Sequence, residues 1–322
     1  MNKRSSHNPN SPAGNGRVFF KPGRQMQSDR PIGVFDTGVG GLSVMGELLK
    51  ILPGESVVYF ADRARQPYGA LPRKVAEGLV LESLKFLLDQ GAKALVIACN
   101  TASAAGYEAA RRRFDVPVFS VIGPGISEAC RITRNKRIGL IGTKITVESG
   151  AHAAIFATID PKVRIFGQAC PLLPPLIELG KLTGDETRMV VETYLLPLTE
   201  QGIDTLVLGC THFPFVLDLI QEILGGSIHI VDPNGDLVRK LTETLTGLNG
   251  LRKGIARRQD HRFIVSGFPD TFQRVGSVLL GWPIPAVEEI PVGKPVEGIE
   301  ILEKDLYNPD KGGDVEALLT HP

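Results

Sequence analysis

A short pattern occurs twice at one constant offset, and it restricts the fold more than any other feature. Residues 90–103 read QGAKALVIACNTAS and residues 201–214 read QGIDTLVLGCTHFP. Gln90-Gly91 answers Gln201-Gly202, Leu95-Val96 answers Leu206-Val207, and Cys99 answers Cys210. Each copy is a glycine stop, a buried-type apolar run, a small residue, a cysteine and polar residues. A glycine that closes a helix before a short apolar run marks a helix-to-strand passage. The surrounding segments alternate in the same way. PIGVFD, ESVVYFAD, KALVIACN and VPVFSVI read as strands, with LSVMGELLKIL and RKVAEGLVLESLKFLLDQG as helices between them. KRIGLIGTKITVESG then echoes RPIGVFDTGVGG, and the helical RMVVETYLLPLTEQG leads into DTLVLGC.

Alternating strands and helices predict parallel α/β layers. The repeat predicts two similar, pseudo-symmetric α/β lobes, each presenting a cysteine at the C-terminal end of a strand. Open α/β sheets bind ligands beyond those strand ends, so the functional site is expected in the cleft between the lobes. Beyond Pro233 the segments GDLVRKLTETLTG, FIVSG, TFQRVGSVLLG and PAVEEIPV complete the first lobe. The expected division is residues 30–122 plus 236–292 for the first lobe and 123–235 for the second. Residues 1–29 and 293–322 lack periodicity and are read as tails.

Composition excludes several classes. Of 322 residues, 43% are hydrophobic, and the formal charge is +1, which gives no general attraction to nucleic acid or to a membrane surface. The basic runs at 111–113 and 251–262 read as solvated surface. Runs such as ALVIAC fall short of the ~20 residues that span a bilayer. The first sixteen residues carry charge but no apolar signal region. Four cysteines in a chain of this length point to free thiols in a reducing compartment, and the expected location is cytoplasmic.

Cysteine is also a small hydrophobe, and that reading suits Cys130 and Cys170. Cys99 and Cys210 sit instead at strand-to-helix turns, where free N–H groups and the helix dipole favour a thiolate. Asn100, Thr101 and Thr211 add donors suited to a carboxylate ligand. The two cysteines lie in separate halves with no C-x-x-C pair, so no metal site is expected. A cysteine protease would need one nucleophile and a distant histidine, not twinned thiols. His212 can tune Cys210 or serve as a structural hydrogen-bonder. The glycine-rich DTGVGG at 36–41 resembles a dinucleotide fingerprint, but Asp36 stands where a pyrophosphate would approach and repels it. It reads better as a tight turn that fixes Asp36 in the cleft, with a helix N-cap role as the alternative. Taken alone, PYG at 67–69 is a turn and Glu178 a loop charge.

Together IGVFDTGVGG, FADRARQPYG, VIACNTAS, the 143–146 stretch, CPLLPPLIELG, LVLGCTHFP and VSGFP resemble the aspartate/glutamate racemase family across roughly residues 30–292. DTGVGG with PYG narrows the resemblance to its glutamate branch. The resemblance implies cofactor-independent interconversion of L- and D-glutamate, supplying D-glutamate for peptidoglycan. It implies Cys99 and Cys210 as the acid/base pair, with Asp36 and His212 assisting. Carried over by position, Thr37, Pro67, Tyr68, Gly69, Asn100, Thr101, Thr146, Glu178 and Thr211 line or support the substrate pocket, with Thr37 standing where the family usually has serine. Glutamate is the expected partner, with no nucleic acid or membrane, and a homodimer stays open.

Inverting a stereocentre by proton transfer needs a base on one face and an acid on the other. An ordinary thiol, pKa ~8.5, is only a few per cent ionised at neutral pH. Lowering that value by about two would make thiolate dominant, a differential interaction of about 2.7 kcal/mol. The expectation is therefore a lowered thiol pKa, with the pair titrating as a coupled unit.

Overall fold

A computed structural model describes residues 26–292 of the chain. Of the expected tails at 1–29 and 293–322, residues 1–25 and 293–322 lie outside the described residues. The strands are β1 (Ile32–Asp36), β2 (Val57–Ala61), β3 (Ala94–Ile97), β4 (Val118–Ser120), β5 (Arg137–Gly142), β6 (Arg164–Ala169), β7 (Thr205–Gly209), β8 (His229–Val231), β9 (Arg262–Val265) and β10 (Val287–Glu289). The α-helices are α1 (Leu42–Ile51), α2 (Arg73–Asp89), α3 (Asn100–Arg113), α4 (Ile122–Ile132), α5 (Lys144–Glu148), α6 (Ala151–Ile159), α7 (Leu173–Glu178), α8 (Asp185–Glu200), α9 (Leu217–Leu224), α10 (Pro233–Gly247) and α11 (Pro269–Leu280).

Two sheets form, and every strand pairing in them is parallel. The first has the order β10-β9-β2-β1-β3-β4 and the second β6-β5-β7-β8. The repeat in the sequence is a repeat in topology: β2-β1-β3-β4 and β6-β5-β7-β8 are the same arrangement. β9 and β10 extend the first sheet beyond β2, as expected of the C-terminal segments. Central strands such as β1, β3 and β7 are buried throughout, because helices cover both faces of a parallel sheet.

The duplicated Gln-Gly pair has one structural job in both lobes. Gln90 and Gln201 cap α2 and α8, and Gly91 (φ 91°) and Gly202 (φ 65°) take the left-handed conformation that turns the chain toward β3 and β7. The crossings between lobes are at the starts of α4 and α10, which pack on each other. A Cβ at Gly125 would lie 2.7 Å from Pro233 Cβ, so only glycine permits this approach. The largest apolar cluster is continuous across this junction, joining Val34 and Val96 of the first sheet to Ile138 and Val207 of the second.

Residues 26–29, grouped by composition with the N-terminal tail, touch the body. Met26 packs on the main core, and the Ser28 carbonyl accepts from Lys93 Nζ at 2.6 Å. Among the described residues no helix is long and apolar enough to cross a membrane.

Candidate active site

Parallel strands place all their C-terminal ends on one side, and the two sheets face each other across that side. β1 ends on Asp36, β3 leads through Ala98 to Cys99, and β7 leads directly to Cys210. Between them lies a cavity of ≈ 440 Å³. The sequence-derived residues Asp36, Thr37, Pro67, Tyr68, Gly69, Cys99, Asn100, Thr101, Thr146, Glu178, Cys210, Thr211 and His212 all line it. The four cysteines are free.

On the first wall, Cys99 is the N-cap of α3, and its Sγ accepts from the Ala102 N–H at 3.5 Å. Thr37 Oγ1 donates to the same sulfur at 3.7 Å. Despite these donors, the Cys99 thiol is pushed up to about 12 by burial and by the nearby Asp36 carboxylate. The expectation of a lowered thiol pKa is thus corrected for Cys99. The helix N-terminus is present, but desolvation and a like charge outweigh it. Asp36 is itself raised to about 6, chiefly by burial, against the His212 charge and donors from Gly38 and Thr211.

The turn 37–41 serves Asp36 and not a phosphate. Gly38 N donates to Asp36 Oδ1 at 2.7 Å, and Thr211 Oγ1 reaches Oδ2 at 3.3 Å from the opposite lobe. Asp36 does not cap the following helix; Gly41 holds that position. The glycines are needed for close approach. A Cβ at Gly40 would stand 2.6 Å from His212 Nδ1 and from Thr211 Oγ1.

On the second wall, Cys210 Sγ lies 3.7 Å from His212 Nδ1, and His212 Nε2 lies 3.0 Å from Glu178 Oε1. Burial disfavours a charged imidazole here, but Cys210 and Glu178 outweigh it and raise His212 well above the usual histidine range. Burial likewise pushes the Glu178 carboxyl up, but the His212 hydrogen bond and the charges of His212 and Arg63 hold it below the usual range. Glu178 is not a loop charge: it ends α7 and forms a chain with His212 and Cys210.

Between the walls is a group of donors. Thr101 Oγ1 and Thr146 Oγ1 are 3.5 Å apart across the lobes, and Thr143 Oγ1 is 2.9 Å from Thr146 Oγ1. Asn100 is buried, and neither polar atom of its side chain has a hydrogen-bond partner among the described residues. A buried unpaired amide is costly unless a ligand satisfies it. The loop carrying Pro67, Tyr68 and Gly69 is held by Asp62, which accepts from Arg65 Nε at 2.7 Å, from Ser266 Oγ at 2.8 Å and from the Tyr68 hydroxyl.

Sequence reasoning missed several lining groups, among them Lys144, which brings a cation to the cavity, and Thr143, Gln66 and Pro175. Lys144 carries no local signal of its own; it follows the N-cap Thr143 of a five-residue helix.

The match to the family described as Asp/Glu/Hydantoin racemase runs over residues 58–241, and the chain belongs to this family. Its similar relatives are glutamate racemases. That of Geobacter metallireducens is 41% identical over 261 residues, 81% of this chain and 96% of its own. The solved glutamate racemase isoform of Bacillus anthracis superposes with a TM-score of 0.77 at 34% identity, covering 83% of this chain and 100% of that one. The glutamate racemase of Francisella tularensis, crystallised with D-glutamate, gives a TM-score of 0.75 at 33% identity, covering 82% and 98%.

Proposed function

We propose that this chain interconverts L- and D-glutamate by a cofactor-independent two-cysteine mechanism and so supplies D-glutamate for peptidoglycan. One observation carries the mechanism: Cys99 and Cys210 end equivalent strands of the two lobes and line one cavity from opposite walls. The racemase relatives, one of them crystallised with D-glutamate, support the choice of substrate.

In this reading the α-carbon lies between the sulfurs. Cys210 takes the α-proton of L-glutamate while Cys99 delivers one to the opposite face; D-glutamate reacts in the reverse sense. With its pKa at about 12, Cys99 holds its proton and is set as the acid of the L-to-D direction. To act as base it must release that proton, and Asp36, ionised above about 6, is the acceptor beside it. The substrate ammonium also lowers the cost of negative charge on this wall. On the other wall His212, held by Glu178, exchanges protons with Cys210. Asn100, Thr101 and Thr146 donate to the α-carboxylate, and these preorganised donors stabilise charge that builds up as the α-proton leaves.

The lobe boundaries at 122/123 and 235/236 belong to this proposal; they fall in the first turns of α4 and α10, where the chain crosses between sheets. The cytoplasmic location is supported by the four free thiols. The near-neutral charge supports a partner list without nucleic acid. A homodimer is the assembly to test, by light scattering.

The deciding experiment is circular dichroism of the dialysed protein with L-glutamate and no additive. Loss of optical activity toward zero is expected, with L-aspartate unchanged or far slower. A stable L-glutamate signal at high enzyme concentration would end the proposal.

A further inference from the structure

We propose that Arg63 is a positioning residue for the acid–base chain behind Cys210, acting on Glu178 from the opposite lobe. The inference rests on the two-cysteine reading above. Arg63 follows Asp62 in the loop after β2, so it belongs to the first lobe, while Glu178, His212 and Cys210 belong to the second. Its side chain is 1% exposed, and Nη2 lies 3.8 Å from Glu178 Oε2. The two oxygens of Glu178 thus face different cations, Oε1 toward His212 and Oε2 toward Arg63. A carboxylate on the last residue of a six-residue helix has rotational freedom of its own; a charge on each oxygen removes it.

The surroundings of Arg63 serve this placement. Its guanidinium stands 5.9 Å from the Phe268 ring centroid. Phe268 holds a left-handed backbone (φ 57°) immediately before α11, a conformation that costs free energy for a bulky residue. The VSGFP segment places this ring against Arg63, and its Ser266 also holds Asp62 and the Ala64 N–H. Burying a guanidinium is expensive, and the site offsets that cost by setting it against the carboxylate that orients His212. The contact also crosses the cleft. It ties the loop after β2 to the acid–base chain behind Cys210.

Charges that act on Glu178 include His212 and Arg63, and Glu178 in turn acts on Asp36 and the Tyr59 phenol; Lys144 lines the same cavity. Arg63 has no place in the proton-transfer path. Removing its charge should make Glu178 easier to protonate without removing a reacting group.

The test is a double-mutant cycle on the full chain with Arg63→Gln and Glu178→Gln, reading kcat and KM for both enantiomers. If Arg63 acts through Glu178, Arg63→Gln lowers kcat roughly tenfold in the wild-type background and less than about twofold when Glu178 is already Gln. Arg63→Lys, which keeps charge without the fork, should fall between, and it replaces Arg63→Gln in the cycle if that variant fails to fold. The acidic limb of the kcat profile should move to higher pH in Arg63→Gln. NMR of the labelled His212 imidazole reads the same event without turnover: its acid-side step, which reports Glu178 protonation, should move up in pH. Equal losses in both backgrounds, or an unmoved His212 step in a folded variant, would overturn the assignment. An inactive wild-type protein with a moved His212 step would instead refute the racemase reading and keep the Arg63–Glu178 linkage.

Discussion

Glu178 Oε1 lies 3.0 Å from His212 Nε2, and this contact, together with Cys210 on the other ring nitrogen, raises the pKa of a buried imidazole. Removing the carboxylate by Glu178→Gln takes away one of the two groups that oppose burial and leaves Cys210 as the other, so the histidine pKa should fall from its raised value. The sign for stability follows. A raised histidine pKa contributes stability that is complete below the unfolded value and lost as pH rises through the folded one. Glu178, held below its usual range, contributes only where it is ionised, so the variant should lose stability mainly from mildly acid to neutral pH and match wild type in strong acid. An imidazole NMR titration and urea midpoints across pH check both, and an unchanged histidine titration would contradict the pairing.

Asp36 should behave in the opposite functional sense to a stabilising residue. Its pKa rises from 3.8 to about 6 in the fold, mainly through burial. Below the unfolded value the group costs nothing; between that value and about 6 the cost of its ionisation builds up, and above about 6 it stays constant. The cost at neutral pH is at most about 3 kcal/mol. Asp36→Asn should match wild type near pH 4, gain stability between pH 4 and 6, and hold the gain above, while racemisation collapses. Urea midpoints that run parallel for the two proteins at every pH would contradict this.

The two thiols should separate by enantiomer. Cys210→Ala leaves Cys99 on its own face, so in deuterated water it should exchange the α-proton of D-glutamate slowly without forming L-glutamate. Cys99→Ala should do the mirror-image reaction on L-glutamate. Proton NMR with chiral chromatography reads both. Near wild-type racemisation by either variant would refute the two-base mechanism, and exchange of the opposite enantiomer would reverse the faces.

Lys93 makes the N-terminal boundary testable. Its ammonium is buried with Glu55 at 2.6 Å and donates to the Ser28 and Gly250 carbonyls at 2.6 and 2.8 Å. A chain starting at residue 26 should keep the wild-type melting temperature. A chain starting at residue 30 loses the Ser28 carbonyl and the Met26 packing and should be destabilised by about 1–3 kcal/mol. Identical melting curves for the two truncations would show that residues 26–29 add nothing to stability.

The parts of this molecule that were legible in the sequence are those set by local pattern. The doubled Gln-Gly stop, the apolar runs before Cys99 and Cys210, and the glycines that let Thr211 and His212 approach Asp36 are each written within a few residues. Other features depend on distant neighbours. β6 has no fully buried residue, so RIFGQA lacks a clear apolar alternation, and the three-residue β8 is too short to show one. The rise in the Cys99 pKa comes from burial beneath the second lobe and from Asp36, 63 positions away in the chain and adjacent in space. The Arg63–Glu178 contact joins residues from different lobes, and nothing near Arg63 in the sequence distinguishes it from Arg65 beside it.

The duplicated sheet order gives the two walls one geometry, while Asp36 on one side and His212 with Glu178 on the other give them different chemistry. Mirror-image substrates have equal free energy in water, so their interconversion has an equilibrium constant of one. At equilibrium the forward and reverse fluxes must balance, which forces kcat/KM to be identical for the two enantiomers whatever the walls contain. The difference between the walls can therefore appear only as a trade between turnover and saturation. One enantiomer can be turned over faster and held more loosely, the other more slowly and more tightly. Any direction to the supply of D-glutamate has to come from the step that consumes it.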